Sequence, residues 1–321
     1  MRFFIVIFSL LVISCSSKPV VELPISTSSK KALSYYKSAM KSFEVGDEFE
    51  KRLFLDSALI HDSNFVLALE FHGSSDPIIR KEYQDKAKIL SANVTEAERK
   101  IISIRESYRK GDMDQALVDA NWLVSNHGDS YQSFVWLGLV QSDRRELEDA
   151  ILSLKKAIEL NPDSYDAYNL LMGHHIAAGT QQMLPEDQRD VELGLVYGDE
   201  LIRIRSDHGY PYHFKANCYR QIGDFEKAKP LYEKSIEKRK GLSSEGTANL
   251  VSGHNYMFSG DYNNARDRYI RAINLARTNN GWFQLNYYLT ISHIFENNYL
   301  GAIDNINKVE KMMIEKEFDD I

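Results

Sequence analysis

The sequence predicts an all-α protein: a right-handed α-solenoid of about seven helix pairs behind a flexible N-terminal tether. Two observations predict this fold. A Gly-Asp dipeptide recurs along the chain and starts at Gly46, Gly111, Gly223 and Gly260. The stretch that starts at Tyr131 also repeats the small residues of the preceding stretch at an offset of about 34 residues, a period typical of paired helices. The chain is therefore expected to be a stack of repeats.

The composition narrows the class of protein. Hydrophobic residues make up 43% of the chain and charged residues 26%, values typical of a folded protein. Acidic residues outnumber basic ones, 46 to 39, so the net charge of −7 argues against nucleic acid as a partner. The two cysteines, Cys15 and Cys218, are too few for a disulfide framework or a multi-thiolate metal site.

The N-terminus carries a targeting signal. Arg2 precedes an apolar run from Phe3 to Ile13, which is too short to span a bilayer as a helix. The run ends in Val12-Ile13-Ser14-Cys15, which resembles the lipobox of bacterial lipoproteins. This resemblance implies that residues 1–14 are a signal peptide and that Cys15 is lipidated by acyl chains such as palmitate. Ser16, where some lipoproteins carry Asp, implies the outer membrane, with the protein on its periplasmic face. An ordinary signal peptide with an incidental cysteine is the alternative.

A flexible, lipidated tether is expected over residues 15–30. Ser16 to Lys30 contains six Ser or Thr residues and two prolines, and it shows no helical period. The solenoid is then predicted over residues 31–321.

The clearest repeat runs from Tyr131 to Ser164. Small residues at Gly138, Ala150 and Ala157 alternate with large ones such as Leu154. This pattern resembles the tetratricopeptide repeat, which implies two antiparallel helices in which the small residues allow close approach. The segment 56–73 is also similar to a subgroup of bacterial tetratricopeptide-repeat proteins of the Bacteroidetes type, for which no activity is implied.

Other repeats follow the same pattern less regularly. Besides 131–164, the clearest units are 97–130, 209–245, 246–282 and 283–312. A longer unit starts at Tyr165 and has an insertion around residues 181–190. An N-terminal unit starts at Ala32, and the register weakens between residues 65 and 96. The Gly-Asp pairs are interpreted as a helix stop followed by the N-cap of the next helix.

No motif indicates an enzyme, a cofactor or a metal. The adjacent His174 and His175 point about 100° apart on a helix and form no two-ligand face. Cys218 is expected to be a small buried thiol. Phosphate-binding glycine loops and a Gly-x-Ser-x-Gly elbow do not occur.

The resemblance instead implies a partner-binding concave groove, lined by positions 2, 5, 9, 12 and 13 of each unit. In the last three units these positions pass from polar to apolar and aromatic side chains. The candidate partner-binding residues are His213, Asn217, Arg220, His254, Met257, Phe258 and Phe295. The carboxylate clamp of some such repeats is not predicted, because a histidine replaces its lysine. A C-terminal helix over 304–317 that caps the groove is the alternative explanation of the aromatic residues.

The predicted function is a non-enzymatic envelope lipoprotein that acts as a scaffold or adaptor and binds a protein or peptide in the groove. The alternative is a glycan- or small-molecule-binding component of an outer-membrane uptake system. Its support is the aromatic content, 18 Tyr and 3 Trp, because aromatic faces stack on sugars.

Overall fold

The computed structural model describes residues 19–176 and 183–315. The predicted signal peptide and Cys15 lie outside these ranges, as do residues 181 and 182 of the predicted insertion. The described residues form sixteen α-helices and two short 3₁₀ helices, and no β-strand occurs among them. Within these ranges each α-helix packs on the next one along the chain, except that the 3₁₀ helix Ser91–Asn93 lies between the fourth and fifth α-helices and contacts both. The predicted all-α solenoid is confirmed.

The helices form eight consecutive pairs, which we number 1 to 8; this is close to the predicted seven. Their bounds are α1 Lys30–Glu44, α2 Glu48–His61, α3 Val66–Phe71, α4 Pro77–Leu90, α5 Glu96–Lys110, α6 Met113–Asn126, α7 Tyr131–Asp143, α8 Leu147–Leu160, α9 Tyr165–His175, α10 Val191–Ile204, α11 Tyr210–Gln221, α12 Phe225–Arg239, α13 Glu245–Phe258, α14 Tyr262–Asn274, α15 Asn279–Phe295 and α16 Tyr299–Glu315. No described helix is both long enough and apolar enough to cross a membrane.

The Gly-Asp pairs connect the two helices of a pair as predicted. Gly111 ends α5 with φ of 72°, a left-handed conformation that costs glycine little. The next residue, Asp112, caps α6 by accepting a hydrogen bond from the backbone N–H of Gln115 at 3.1 Å. Pairs 4 and 8 lack this glycine, and Arg145 and Asn297 adopt positive φ in its place. The turn geometry is therefore kept where the dipeptide is absent.

Small residues sit where the helices of a pair cross. A side-chain Cβ on Gly138 of α7 would lie 2.7 Å from Leu154 of α8, which is too close for any other residue type. Ala150 and Ala157 of α8 are fully buried beside it. These contacts match the register predicted for residues 131–164.

Pair 2 explains the weak register between residues 65 and 96. Every residue of the short helix α3 is buried, so its sequence has no polar face and no helical period. The buried Glu70 forms ion pairs with Arg105 at 3.0 Å and Arg109 at 2.5 Å, both on α5. A segment of this kind resembles no standard repeat unit, although it packs in the same stack.

Residues 19–29, which we call the N-terminal segment, lie against pairs 3 and 4. The backbone N–H of Leu23 donates to Oε1 of Gln132 at 2.7 Å, and that of Ser26 donates to Oε1 of Glu98 at 3.0 Å. Val21 also forms an isolated parallel bridge with Ser130. Within the predicted tether, residues 19–29 are therefore packed against the repeats and do not form a flexible linker.

Pair 8 leaves its outer side open. Ile306 of α16 is 51% exposed, whereas Leu154, Tyr232 and Tyr269 at the equivalent position of pairs 4, 6 and 7 are fully buried. A hollow of about 400 Å³ lies on this side, lined by Phe283, Ile306, Val309, Glu310, Met313 and Ile314.

Candidate partner-binding groove

The predicted groove residues lie on the first helices of pairs 6 to 8. His213, Asn217 and Arg220 are spaced by four and three residues on α11, so they share one face of that helix. His254, Met257 and Phe258 lie on α13, and Phe295 ends α15. We call the surface formed by these side chains the groove.

The wall of the groove contains His213 and Asn217. Both side chains are buried. The hydroxyl of Tyr232, on α12, donates a hydrogen bond to Oδ1 of Asn217 at 2.7 Å. Burial, together with Arg239 and Arg220, lowers the pKa of His213 to about 3. His213 is therefore neutral at physiological pH, and it supports the wall instead of supplying a charge.

Arg220 supplies the positive charge of the groove. Its guanidinium lies 6.0 Å from the centre of the Tyr232 ring, within the range of a cation–π interaction. Its Nη1 atom is buried without a hydrogen-bond partner among the described residues. Buried guanidinium donors normally have acceptors, so this atom is an unfilled donor beside the groove.

Arg220 also acts on His254 in the neighbouring pair. The pKa of His254 is lowered to about 4, first by burial and then by the positive charge of Arg220. Nδ1 of His254 lies 2.9 Å from the hydroxyl of Tyr269. The ring also packs at 4.6 Å against that of Tyr288 on α15. His254 thus links pairs 6, 7 and 8.

The apolar end of the groove is formed by exposed rings. Phe258 is 55% exposed and Phe295 is 57% exposed, so the C-terminal helix α16 does not cover them. Tyr287, at another of the groove positions, is also exposed. Met257 differs: it is buried at 7% exposure, and its sulfur lies 3.5 Å from the Tyr269 hydroxyl. Met257 therefore belongs to the wall of the groove and not to its surface.

Among the candidate partner-binding residues, the structure places Arg220, His254 and Phe258 near one another and Phe295 apart from them. Phe258 lies 6.5 Å from the His254 ring, and Arg220 influences the pKa values of both groove histidines. Phe295 makes no described ring contact with them.

Sequence reasoning did not assign the groove's supporting tyrosines. Tyr232 and Tyr269 occupy the position where pair 4 has Leu154, and their hydroxyls reach Asn217 and His254. A tyrosine at a buried repeat position could have predicted a hydrogen bond to a groove residue, because a buried hydroxyl needs a partner.

The remaining reactive side chains lie in the core. Nε2 of His174 is 2.9 Å from Oγ of Ser142, and Nδ1 of His175 accepts a hydrogen bond from the backbone N–H of Asp190 at 3.1 Å. Cys218 is fully buried, and burial raises the pKa of its thiol to about 12. Within residues 19–176 and 183–315, no group of three His, Cys, Asp or Glu side chains could hold a metal ion.

Comparison with known families agrees with this architecture. The family model for the tetratricopeptide repeat matches residues 131–164 and 210–237, which correspond to pair 4 and to most of pair 6. The first match has the bounds predicted from the residue pattern. No curated protein matches the chain in sequence.

Several solved structures are similar in fold. Yeast Tom70 has a TM-score of 0.55 at 15% identity; the match covers 83% of this chain and 54% of Tom70. A tetratricopeptide repeat protein from Parabacteroides merdae has a TM-score of 0.49 at 11% identity, covering 88% of this chain and 93% of that one. MamA from Desulfovibrio magneticus has a TM-score of 0.46 at 14% identity, covering 57% and 96%. At these identities the likeness concerns the fold alone.

Proposed function

We propose that this chain, a protein of tetratricopeptide repeats, is a non-enzymatic scaffold or adaptor that binds a protein or peptide partner in the groove of pairs 6 to 8. Folds of this kind generally mediate interactions between proteins. The observation that carries the proposal is the partly exposed side chain of Arg220, which has no ion-pair partner among the described residues, in the same groove as the exposed ring of Phe258.

The chemistry of the groove suits a peptide that offers two groups. A carboxylate or backbone carbonyl would accept hydrogen bonds from the accessible part of the Arg220 guanidinium, since this side chain is only partly buried. An apolar side chain would cover Phe258, and a second could reach Phe295 or Tyr287. Because His213 and His254 have pKa values lowered to about 3 and about 4, they are neutral, and Arg220 provides the local positive charge that selects an anionic group.

The glycan alternative gains no support from the rings of the groove. A sugar-binding platform needs aromatic faces that lie in one plane. Tyr287 and Tyr288, neighbouring rings on α15, meet at an interplanar angle of 67° and form an edge-to-face pair. A peptide remains the better fit.

The place of action proposed is the bacterial cell envelope, through a lipid anchor at Cys15. The support is the sequence Val12-Ile13-Ser14-Cys15 after an apolar run. Several acyl chains on one cysteine would hold the protein firmly, since each buried CH₂ contributes about 0.8 kcal/mol.

The groove is tested with a partner captured by crosslinking in intact envelopes. We expect the double substitution Arg220→Ala and Phe258→Ala to weaken partner affinity about ten- to a hundredfold, because a charge-assisted hydrogen bond and an apolar contact are lost. The matched control is Ile270→Ala with Arg271→Ala on α14, two side chains on the outer helix of pair 7. Affinity within twofold of wild type in a folded double variant would contradict the groove assignment.

The anchor is tested by cell fractionation. We expect Cys15→Ser to move the protein from the membrane fraction to the soluble fraction, because the acylated side chain is lost. Cys218→Ala, which changes the buried thiol, should stay with the membrane. A Cys15→Ser protein that remains bound as tightly as wild type would show that the lipobox interpretation is wrong.

A further inference from the structure

The N-terminal segment fixes the point at which the chain leaves the folded protein. Val21 is bridged to Ser130 at the start of α7, and Leu23 is buried and hydrogen-bonded to Gln132. Only a short stretch precedes this point. Val21 is the sixth residue after Cys15, and six steps of 3.3–3.6 Å span about 20 Å at most.

Helix α1 carries a basic stripe, which we define as Lys30, Lys37 and Lys41. Their spacings of seven and four residues place them on one face of the helix, and all three are exposed. Lys31 is exposed on the flank of the stripe. Since α1 contains four lysines and one glutamate, it is locally basic in a chain whose net charge is −7.

The basic stripe lies beside the exit point of the chain. Nζ of Lys37 is 2.5 Å from Oε2 of Glu22, three residues after the first described residue, Pro19. Val20 and Val21, next to Glu22, are also exposed. Positive charge and a small apolar surface therefore flank the place where the chain runs toward Cys15.

We propose that the basic stripe of α1 docks on an anionic lipid surface and so orients the solenoid on the membrane. The inference rests on the proposed lipid anchor, which would hold residue 21 within about 20 Å of the bilayer. Basic side chains gain from an anionic surface only within about a Debye length, roughly 8 Å at physiological salt, so docking needs this short connection.

The acidic groups near the stripe neutralise only one of its three lysines. Glu22 pairs with Lys37 at the surface. Glu44, at the end of α1, has a pKa raised by burial and by the nearby carboxyl of Asp166. Lys30, Lys31 and Lys41 have no described ion-pair partner. Three lysines of α1 are therefore available to the membrane.

The test attaches the protein to vesicles without depending on cellular lipidation. The chain from residue 15 onward is coupled through Cys15 to vesicles that contain a maleimide lipid. Cys218 does not compete, because it is fully buried with its pKa raised to about 12. Lysine labelling by an amine-reactive reagent is then measured by mass spectrometry on phosphatidylglycerol and on phosphatidylcholine vesicles.

We expect Lys30, Lys31 and Lys41 to react at least threefold more slowly on phosphatidylglycerol than on phosphatidylcholine, and this difference to disappear in 0.5 M salt. Lys227, Lys234 and Lys240, in and just after α12, are the matched control and should react equally on both vesicles. In the variant Lys37→Gln with Lys41→Gln, the protection of Lys30 and Lys31 should be lost.

Two results would overturn the docking proposal. Equal labelling of α1 on both vesicles would show that the stripe does not contact the lipid. Equal protection of the α12 lysines would show that adsorption is not specific to α1. Neither result bears on the anchor itself, which the fractionation of Cys15→Ser tests separately.

Discussion

At the scale of single residues, buried histidines are held neutral by their surroundings. The hydroxyl of Ser142 donates to the backbone carbonyl of Gly138, so the ring of His174 must donate to that hydroxyl from Nε2. Its Nδ1 is buried without a partner in the part of the chain that the structure describes, and a proton there would find no acceptor among those residues. Burial, with a smaller effect of His175, lowers the pKa of His174 to about 4.

This environment predicts a loss of stability in mild acid. In the unfolded chain His174 titrates near its ordinary value of 6.5, and in the folded protein near 4. Its contribution is therefore fully present above pH 6.5 and is lost as the pH falls toward 4. We expect the free energy of unfolding to fall by about 2 kcal/mol more in wild type than in His174→Gln between pH 6.5 and 5.

Urea unfolding at the two pH values measures this difference. An identical pH dependence in wild type and His174→Gln would mean that the ring is already charged or exposed in the folded protein.

At the scale of helices, the stack buries repeat positions only where a following pair exists. Leu154 and Ile306 occupy equivalent positions on α8 and α16, yet Leu154 is fully buried and Ile306 is half exposed. The same residue position is thus part of the core in pair 4 and part of the surface in pair 8.

A charge at these two positions should therefore have very different effects. We expect Leu154→Glu to destabilise the protein by at least about 3 kcal/mol, because it buries an unpaired carboxylate. Ile306→Glu should change stability by less than about 1 kcal/mol, because the carboxylate remains in water. Thermal unfolding of both variants checks the prediction. Similar losses in both would indicate that another part of the protein covers the outer side of pair 8.

The sequence predicts an element of the fold when the contacts that stabilise this element are local in the chain. The Gly-Asp turns and the 131–164 unit were predictable, because their caps and small residues act within one pair. Helix α3 could not be predicted, because a helix that is buried on every side has no hydrophobic period. The packing of the N-terminal segment could not be predicted either, since its hydrogen bonds reach side chains 72 and 109 residues away.

For the groove, too, the sequence predicts the position of a side chain along its helix but not its contacts with other helices. Repeat register placed its side chains on the correct helices, and it placed Phe258 and Phe295 at exposed positions. Register could not show that Met257 is buried, because that depends on the distance between α13 and the tyrosine of α14. The hydrogen bond between Tyr232 and Asn217 likewise depends on how two helices cross.

At the scale of the whole molecule, the first pair contacts the fifth. Nη1 of Arg205, just after α10, donates to the backbone carbonyl of Lys41 at 2.7 Å and lies 3.6 Å from Glu44. Val45 is buried in the same apolar cluster as Tyr165. These contacts join parts of the chain that are far apart in sequence.

The carboxyl groups at this contact predict a second pH effect with the opposite sign. Burial raises the pKa of Asp166 on α9, and burial with the charge of Asp166 raises that of Glu44. Carboxyl groups with raised pKa values contribute stability at low pH and lose it as the pH rises through those values. We expect Asp166→Asn to be more stable than wild type at pH 8, with the difference shrinking at pH 5. Urea unfolding would contradict this if Asp166→Asn were less stable than wild type at pH 8.

The contact between pairs 1 and 5 also changes how the repeat array opens. Repeats that touch only their neighbours can fray one at a time from either end. Here pair 1 cannot detach without also breaking its contact with pair 5, so the first five pairs behave as one cooperative unit with a closed circuit of contacts. Pairs 7 and 8, which carry Phe258 and Phe295, lie beyond that circuit, so they can open without breaking it.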